Sequence, residues 1–190
     1  MKSLVLYLCL FVSGCATSIH IPSYHYTDKV SYAGEPKVIS VWISPDFDVF
    51  DRTHITDAIA SWNGSLNGYV KLKISLEMPS DNDWVIVKVP AQDSTLPKVD
   101  ARHGQYVLGA VDEIGGHNMF LARETMSSGD VYFVTLHEIG HLLGAEHLGN
   151  HLMYPHHDRE KFHCIDKQTA MQISSYQKIP AENINYCQFY

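Results

Sequence analysis

One short stretch, HEIGHLLGAEH at residues 137–147, restricts the fold more than any other part of the chain. If the stretch is helical, His137 and His141 lie one turn apart and project from the same face, as residues four apart do. Gly144 tolerates the left-handed backbone that an abrupt helix end requires. The chain can therefore turn back at this glycine and bring His147 towards the other two histidines. The stretch predicts a helix that ends at a glycine and three imidazoles that converge.

Three converging imidazoles favour a metal site. Neutral imidazole binds zinc at about 2.0–2.1 Å, and three protein ligands leave one tetrahedral position open, which is typical of catalytic zinc and not of structural zinc. Glu138 follows the first histidine, about 100° round the helix, so we expect it to lie beside the ion. A carboxylate there can act as general base on a water whose pKa zinc lowers towards ~7. The pattern predicts one catalytic zinc ion held by His137, His141 and His147.

These residues also carry a resemblance to a known family. HEIGHLLGAEH is similar to the HExxHxxGxxH signature of the metzincin metallopeptidases. The later sequence Leu152-Met153-Tyr154-Pro155 resembles the Met-turn of the matrixin branch. The resemblance implies a zinc endopeptidase in which Glu138 is the general base, and Met153 forms an apolar floor beneath the metal site.

The resemblance further implies how a substrate binds. In the family an extended peptide pairs with the edge strand of the sheet, and residues 106–111 are the predicted edge. Gly109 within this run marks a bulge or a close approach of the backbone to another element. The loop after the Met-turn, residues 153–163, is expected to form a wall of the substrate pocket. The predicted substrate-binding residues are Tyr106, Leu108, Gly109, Ala110 and Tyr154.

Hydrophobic patterning predicts an α+β domain over residues 37–190. Helical spacing predicts a helix that Thr53 caps and Asn63-Gly64 end, an active-site helix that Ser128 or Asp130 opens, and a C-terminal helix over residues 166–177. This order differs from alternating βαβ repeats. Together with the resemblance, it implies a metzincin-like, mixed and mostly parallel twisted sheet with three packed helices. About five strands are predicted from apolar runs at 38–44, 84–89, 105–111 and 118–122 and from strict alternation of apolar and polar residues at 69–76.

The first residues predict export and lipid attachment. An apolar stretch at residues 4–12 is too short to span a bilayer as a helix, and small residues follow it, as in a secretory signal. The ending VSGC, with Cys15 last, resembles the bacterial lipobox, which implies cleavage before Cys15 and its lipidation. An ordinary signal peptide cut nearby is the alternative. Residues 1–14 are thus a predicted signal peptide of the lipoprotein type, and residues 15–36 a lipidated N-terminus and tether.

Lipidation would place the protein in a bacterial cell envelope. Ala16, which follows the modified cysteine, is not the aspartate that resembles an inner-membrane retention signal, so we expect the outer membrane. In an oxidising compartment a disulfide between Cys164 and Cys187 is the default, since Cys9 leaves with the signal. Such a bridge is worth on the order of 3 kcal/mol. Two free thiols, or a thiolate ligand to a metal, are the alternatives.

Composition restricts the partners. The chain has 190 residues, is 45% hydrophobic and 18% charged, and carries a net charge of −7, which is typical of one globular domain. An acidic protein is a poor match for nucleic acid, because phosphate binding needs a basic surface. The predicted partners are a protein or peptide substrate and, through the lipid anchor, a membrane. The sequence does not specify an oligomeric state, and a monomer is the default.

Other interpretations remain open at this stage. Asp46, Asp48 and Asp51 offer carboxylates to calcium, but their spacing matches no calcium loop, so turn and helix-capping roles are favoured. A lipoprotein that keeps the zinc but only binds peptides is one alternative function. A structural envelope protein whose histidines stabilise the fold is another. Glu138 favours the enzyme, because a binding protein has no use for a base at that position.

Overall fold

The computed structural model describes residues 24–97, 107–149, 151–156 and 164–189. The predicted signal peptide, Cys15 and Tyr106 lie outside these residues. The described strands are β1 (Tyr24–Tyr26), β2 (Lys37–Ile43), β3 (Val70–Ser75), β4 (Trp84–Lys88), β5 (Gly109–Val111), β6 (Asn118–Leu121) and β7 (Cys187–Phe189). The helices are α1 (Val49–Leu66), α2 (Ser128–Leu142) and α3 (Lys167–Gln177).

Five of the strands form one sheet in the order β3-β2-β4-β6-β5. Strands β2, β3, β4 and β6 run parallel to one another. Strand β5 lies at one edge and runs antiparallel to β6. The α+β fold with a mixed, mostly parallel sheet, predicted from the sequence, is confirmed. The predicted edge strand is shorter than expected, because only residues 109–111 of the run 105–111 form it.

The core lies between the sheet and the helices α1 and α2. On β2 the buried side chains of Val41 and Ile43 alternate with more exposed neighbours, as expected for a strand with one covered face. Trp62 of α1 is fully buried, and its indole N–H donates to the backbone carbonyl of Leu136 in α2 at 2.9 Å. This bond fixes the two helices to each other one residue before the histidine-rich stretch begins.

Helix α1 begins earlier and ends later than the sequence predicted. Its N-cap is Asp48, whose carboxylate accepts the backbone N–H of Asp51 at 2.9 Å, so Thr53 lies inside the helix. The helix also continues through Asn63-Gly64 and ends at Asn67, which has φ 50°, followed by Gly68 with φ 86°. The Asn-Gly pair that adopts the left-handed conformation is therefore the second of two such pairs in the sequence.

The first pair serves a different purpose, because Asn63 contacts the edge of the sheet. Its side-chain amide donates to the carbonyl of Leu72 at 2.9 Å and accepts the N–H of the same residue at 2.8 Å. Leu72 lies in the middle of β3, the strand at the edge opposite β5. The asparagine amide thus imitates the peptide group of a neighbouring strand.

The three aspartates that could have bound calcium have structural partners. Asp46 accepts from the hydroxyl of Ser44, and Asp48 caps α1. Asp51 is buried, and both of its carboxylate oxygens lie 2.7 Å from Nε of Arg123. This ion pair joins the first turn of α1 to the segment that leads into α2. Asp46 and Asp48 thus have the turn and capping roles that the sequence favoured, whereas Asp51 forms a buried ion pair that it did not predict.

Part of the segment predicted as a tether packs against the domain. Strand β1 pairs with β7 at the other end of the chain, and the ring of Tyr32 stacks on that of Tyr69 with centroids 4.2 Å apart. Hydrophobic periodicity could not reveal a partner so distant in sequence. A disulfide joins Cys164 to Cys187 and so holds β7 near the start of α3. In the part of the chain that the structure covers, every helix is too short or too polar to cross a bilayer.

Candidate metal centre

Helix α2 carries the histidines, and both of its ends are built by local sequence. At the start, Ser127 and Asp130 form a capping box, in which each side chain satisfies a backbone N–H of the other. At the other end Gly144 has φ 101°, and its N–H donates to the carbonyl of His141 at 2.9 Å. The same carbonyl accepts the N–H of Gly115, at 2.8 Å, from the loop between β5 and β6. The helix ends at the predicted glycine, and the chain turns back.

This turn brings the three predicted ligands together. The Nε2 atom of His141 lies 3.1 Å from Nε2 of His137 and 3.2 Å from Nε2 of His147. Two nitrogens bound to one tetrahedral zinc ion at the usual bond length are ~3.3 Å apart. Within the described residues this is the one cluster of three or more histidine, cysteine or carboxylate side chains able to hold a metal ion. The spacing therefore fits a single small divalent cation.

Hydrogen bonds at Nδ1 of His137 and of His141 indicate that Nε2, on the other side of each ring, carries a lone pair. Nδ1 of His137 lies 2.7 Å from the carbonyl oxygen of Leu152, and Nδ1 of His141 lies 2.7 Å from that of Ala145. A carbonyl oxygen only accepts, so each Nδ1 carries the proton, and Nε2 of the neutral ring has none. Two lone pairs that face each other at 3.1 Å repel unless a cation lies between them. The tautomers thus fit a metal ion as well as the distances do.

The environment favours the neutral form of two of the three rings. Burial lowers the pKa of His141; the hydrogen bond with the Ala145 carbonyl opposes this effect, and the neighbouring His147 adds to it. Burial also lowers the pKa of His147, and the charge of His156 lowers it further. Since only neutral imidazole binds a metal, both shifts favour metal binding near neutral pH.

Met153 packs beneath this part of α2 and is fully buried. A Cβ atom on Gly140, in the middle of the helix, would come within 2.6 Å of the Met153 sulfur. Glycine inside a helix costs up to about 1 kcal/mol relative to alanine, so its presence indicates a close contact. The sequence interpretation did not use this signal. The Met153 carbonyl also accepts the N–H of Leu148 at 3.0 Å, which joins the segment around Met153 to the loop that carries His147.

Glu138 lies directly after the first ligand, and its side chain is only 6% exposed. Burial disfavours the charged carboxylate and raises its pKa from 4.5 to about 8. Its carboxylate is not a member of the three-histidine cluster. A carboxyl group with a pKa near neutrality, next to a ligand set but outside it, is suited to accept and release a proton.

The residues predicted to bind the substrate lie in different surroundings in the structure. Gly109 lies in edge strand β5 and faces Glu138, whereas Ala110 points to the opposite face, into a small apolar cluster. The carbonyl of Leu108, just before the strand, accepts the N–H of Ala122. Tyr154 follows Met153, and its ring makes an edge contact with that of His156 at a centroid distance of 5.5 Å. The structure therefore places Gly109 against Glu138, and leaves Tyr106 undescribed.

Comparisons with known proteins bear on the fold. No protein-family model and no curated protein matches the sequence. The structure is similar to metalloproteinase-II from Bacteroides fragilis, with a TM-score of 0.52 and 19% sequence identity over 82% of this chain and 57% of that protein. The comparison with myroilysin gives a TM-score of 0.39 and 13% sequence identity, over 62% of this chain and 52% of the myroilysin chain. The chain thus spans a little over half the length of metalloproteinase-II, and has a similar fold.

Proposed function

We propose that this chain is a zinc-dependent endopeptidase that a lipid anchor holds in a bacterial cell envelope. The observation that supports the proposal most strongly is the convergence of three imidazoles, in which Nε2 of His141 lies 3.1 Å from that of His137 and 3.2 Å from that of His147, beside the buried Glu138. The fold is similar to that of a protein described as a metalloproteinase, although the two sequences are only 19% identical.

The three histidines would hold the zinc ion, which supplies Lewis acidity that polarises a peptide carbonyl and lowers the pKa of water towards ~7. The hydrogen bonds from His137 to Leu152 and from His141 to Ala145 fix both rings in the tautomer that binds metal. Glu138 takes a proton from the attacking water and passes it to the leaving amine. Met153 supports the helix from below, so the two ligands on α2 keep their positions.

The edge strand β5 is the proposed binding strand for the substrate. Its outer edge can pair with an extended peptide, and Gly109 brings the backbone of that edge against Glu138. A peptide bound there would lie along the metal centre, which fits cleavage within a chain. Tyr154 would contribute to the wall of the pocket.

The lipid anchor belongs to the proposal through the sequence around Cys15, and the outer membrane is the proposed location. Metabolic labelling with a fatty-acid analogue tests this part. We expect labelled protein from the wild type and none from Cys15→Ala, while label on both would contradict lipidation at this residue.

Cleavage of a peptide library by the purified protein tests the activity. We expect one equivalent of zinc, endoproteolytic products, loss of cleavage on chelation and recovery when zinc is added back. Glu138→Gln should keep the zinc and lose about 10²–10⁴-fold in kcat, the usual contribution of a general base. Glu146→Gln is the matched control, because Glu146 lies in the same stretch but is exposed.

Two results would contradict the proposed function. A zinc-loaded protein that cleaves no peptide of the library would favour a binding or structural protein. Cleavage at the wild-type rate by Glu138→Gln would show that the glutamate is not the base.

A further inference from the structure

The edge strand comes unusually close to the glutamate at Gly109. A Cβ atom on this residue would lie 2.9 Å from both Cγ and Oε1 of Glu138, and 2.7 Å from Cγ1 of Val134. Gly109 does not have a positive φ, so its backbone conformation is open to any residue. Glycine is therefore required here because a side chain at position 109 would clash with Glu138 and Val134. Even alanine, the smallest alternative, would require one of the neighbours to move.

The neighbours differ in how easily they can move. Strand β5 is held by antiparallel pairing with β6, with Gly109 opposite Leu121, and by the bond from Ala122 to Leu108 just before it. Val134 is buried and β-branched, so its side chain has few alternative rotamers. Glu138 has an unbranched side chain with more rotatable bonds. A methyl group at position 109 would thus act mainly on the carboxylate of Glu138.

We propose that Gly109 is a positioning residue for the general base. Its missing side chain lets the backbone of the edge strand pack against Glu138 and fixes the carboxylate in the orientation that proton transfer requires. This inference rests on the proposed function, because it gives Gly109 a role only if Glu138 is the base. It differs from the substrate-binding role of the same strand, which uses main-chain groups that alanine retains.

Gly109→Ala tests the proposal, with Gly129→Ala as the matched control. Gly129 lies in the first turn of α2, and a Cβ atom there meets nothing within 4 Å. We expect Gly109→Ala to bind zinc with unchanged affinity and to keep KM within about threefold, while kcat falls about 100-fold, the loss typical of a misplacement near 1 Å. Gly129→Ala should match the wild type in zinc affinity, KM and kcat.

A second variant separates the glutamate contact from ordinary crowding. Val134→Ala, introduced together with Gly109→Ala, removes the contact with Val134 but leaves the contact with Glu138. We expect kcat of the double variant to stay well below that of Val134→Ala alone. Recovery to that level would assign the loss to Val134 and overturn the proposal, as would a kcat of Gly109→Ala equal to that of Gly129→Ala.

A crystal structure of zinc-loaded Gly109→Ala provides a readout that does not depend on activity. We expect the Glu138 carboxylate to be displaced relative to the wild type, with β5 and the three imidazoles in place. An unmoved carboxylate beside a displaced strand would overturn the proposal even if kcat falls. If the wild type cleaves no peptide, the proposed function fails, and this structure still decides whether Gly109 sets the position of Glu138.

Discussion

Replacing Glu138 by glutamine should stabilise the metal-free protein in a way that depends on pH. The pKa of Glu138 is raised from 4.5 to about 8 by burial. Between pH 4.5 and pH 8, therefore, the carboxyl group keeps its proton in the folded protein but has released it in the unfolded chain. The associated stability is fully present below pH 4.5 and is lost as pH rises towards 8. At pH 7 the loss amounts to about 3 kcal/mol, since one pKa unit corresponds to about 1.4 kcal/mol. Glutamine has nearly the same shape and no charge, so it avoids this loss.

Urea unfolding of the chelated proteins between pH 5 and pH 8 measures the effect. The free energy of unfolding of Glu138→Gln minus that of the wild type should be small at pH 5 and should grow to about 3 kcal/mol at pH 7. Titration of the histidines is common to both proteins and cancels in the difference. Glu146→Gln, which alters an exposed side chain of the same stretch, is the control for the substitution itself. A difference that is flat with pH, or a less stable glutamine variant at pH 7, would refute the reasoning.

Three further predictions concern the metal, the disulfide and the loop between β5 and β6. Zinc at a concentration 100-fold above its Kd should raise the free energy of unfolding by about 2.7 kcal/mol, and His147→Ala should abolish most of this gain in a thermal-shift titration. Replacing Cys164 and Cys187 by serine should cost about 3 kcal/mol in denaturant unfolding, because the bridged residues are 23 positions apart. Burial by itself raises the pKa of Asp112, but hydrogen bonds from Asn118 and nearby N–H groups outweigh it and lower that pKa below 3.8. The stability that this carboxylate contributes should therefore be present above pH 3.8 and be lost at lower pH, and Asp112→Asn should show a weaker acid dependence in unfolding from pH 2 to 6.

The three-histidine cluster was the most predictable part of the molecule, because its geometry is local. His137 and His141 share a face through helix periodicity alone, and Gly144 marks the helix end through its conformational freedom. The strands β2 to β6 were predictable for the same reason, since each lies in a short apolar or alternating run between turn residues, although β5 covers only part of its run. These signals act over a few residues and are visible in one sequence.

The features that the sequence did not reveal depend on distant partners or on the backbone. The carbonyls of Leu152 and Ala145 orient the ligand rings, but every residue has a carbonyl, so residue identity carries no signal for them. The pairing of β1 with β7 joins opposite ends of the chain. Asn63-Gly64 satisfied the local rule for a helix end, yet the contact of Asn63 with β3 outweighed it.

The contact between Asn63 and β3 makes the two edge strands of the five-stranded sheet unequal. The N–H and C=O of Leu72, in the middle of β3, already form hydrogen bonds with the side chain of Asn63. Among the described residues, no side chain pairs with the outer edge of β5 in this way. The proposed pairing with a substrate peptide is therefore favoured at the β5 edge, where Gly109 faces Glu138. Strand pairing that uses only one edge of a sheet joins a peptide or one other copy, and does not by itself extend into an open-ended filament. The asparagine thus limits strand pairing between copies without covering the edge at which we propose that the substrate binds.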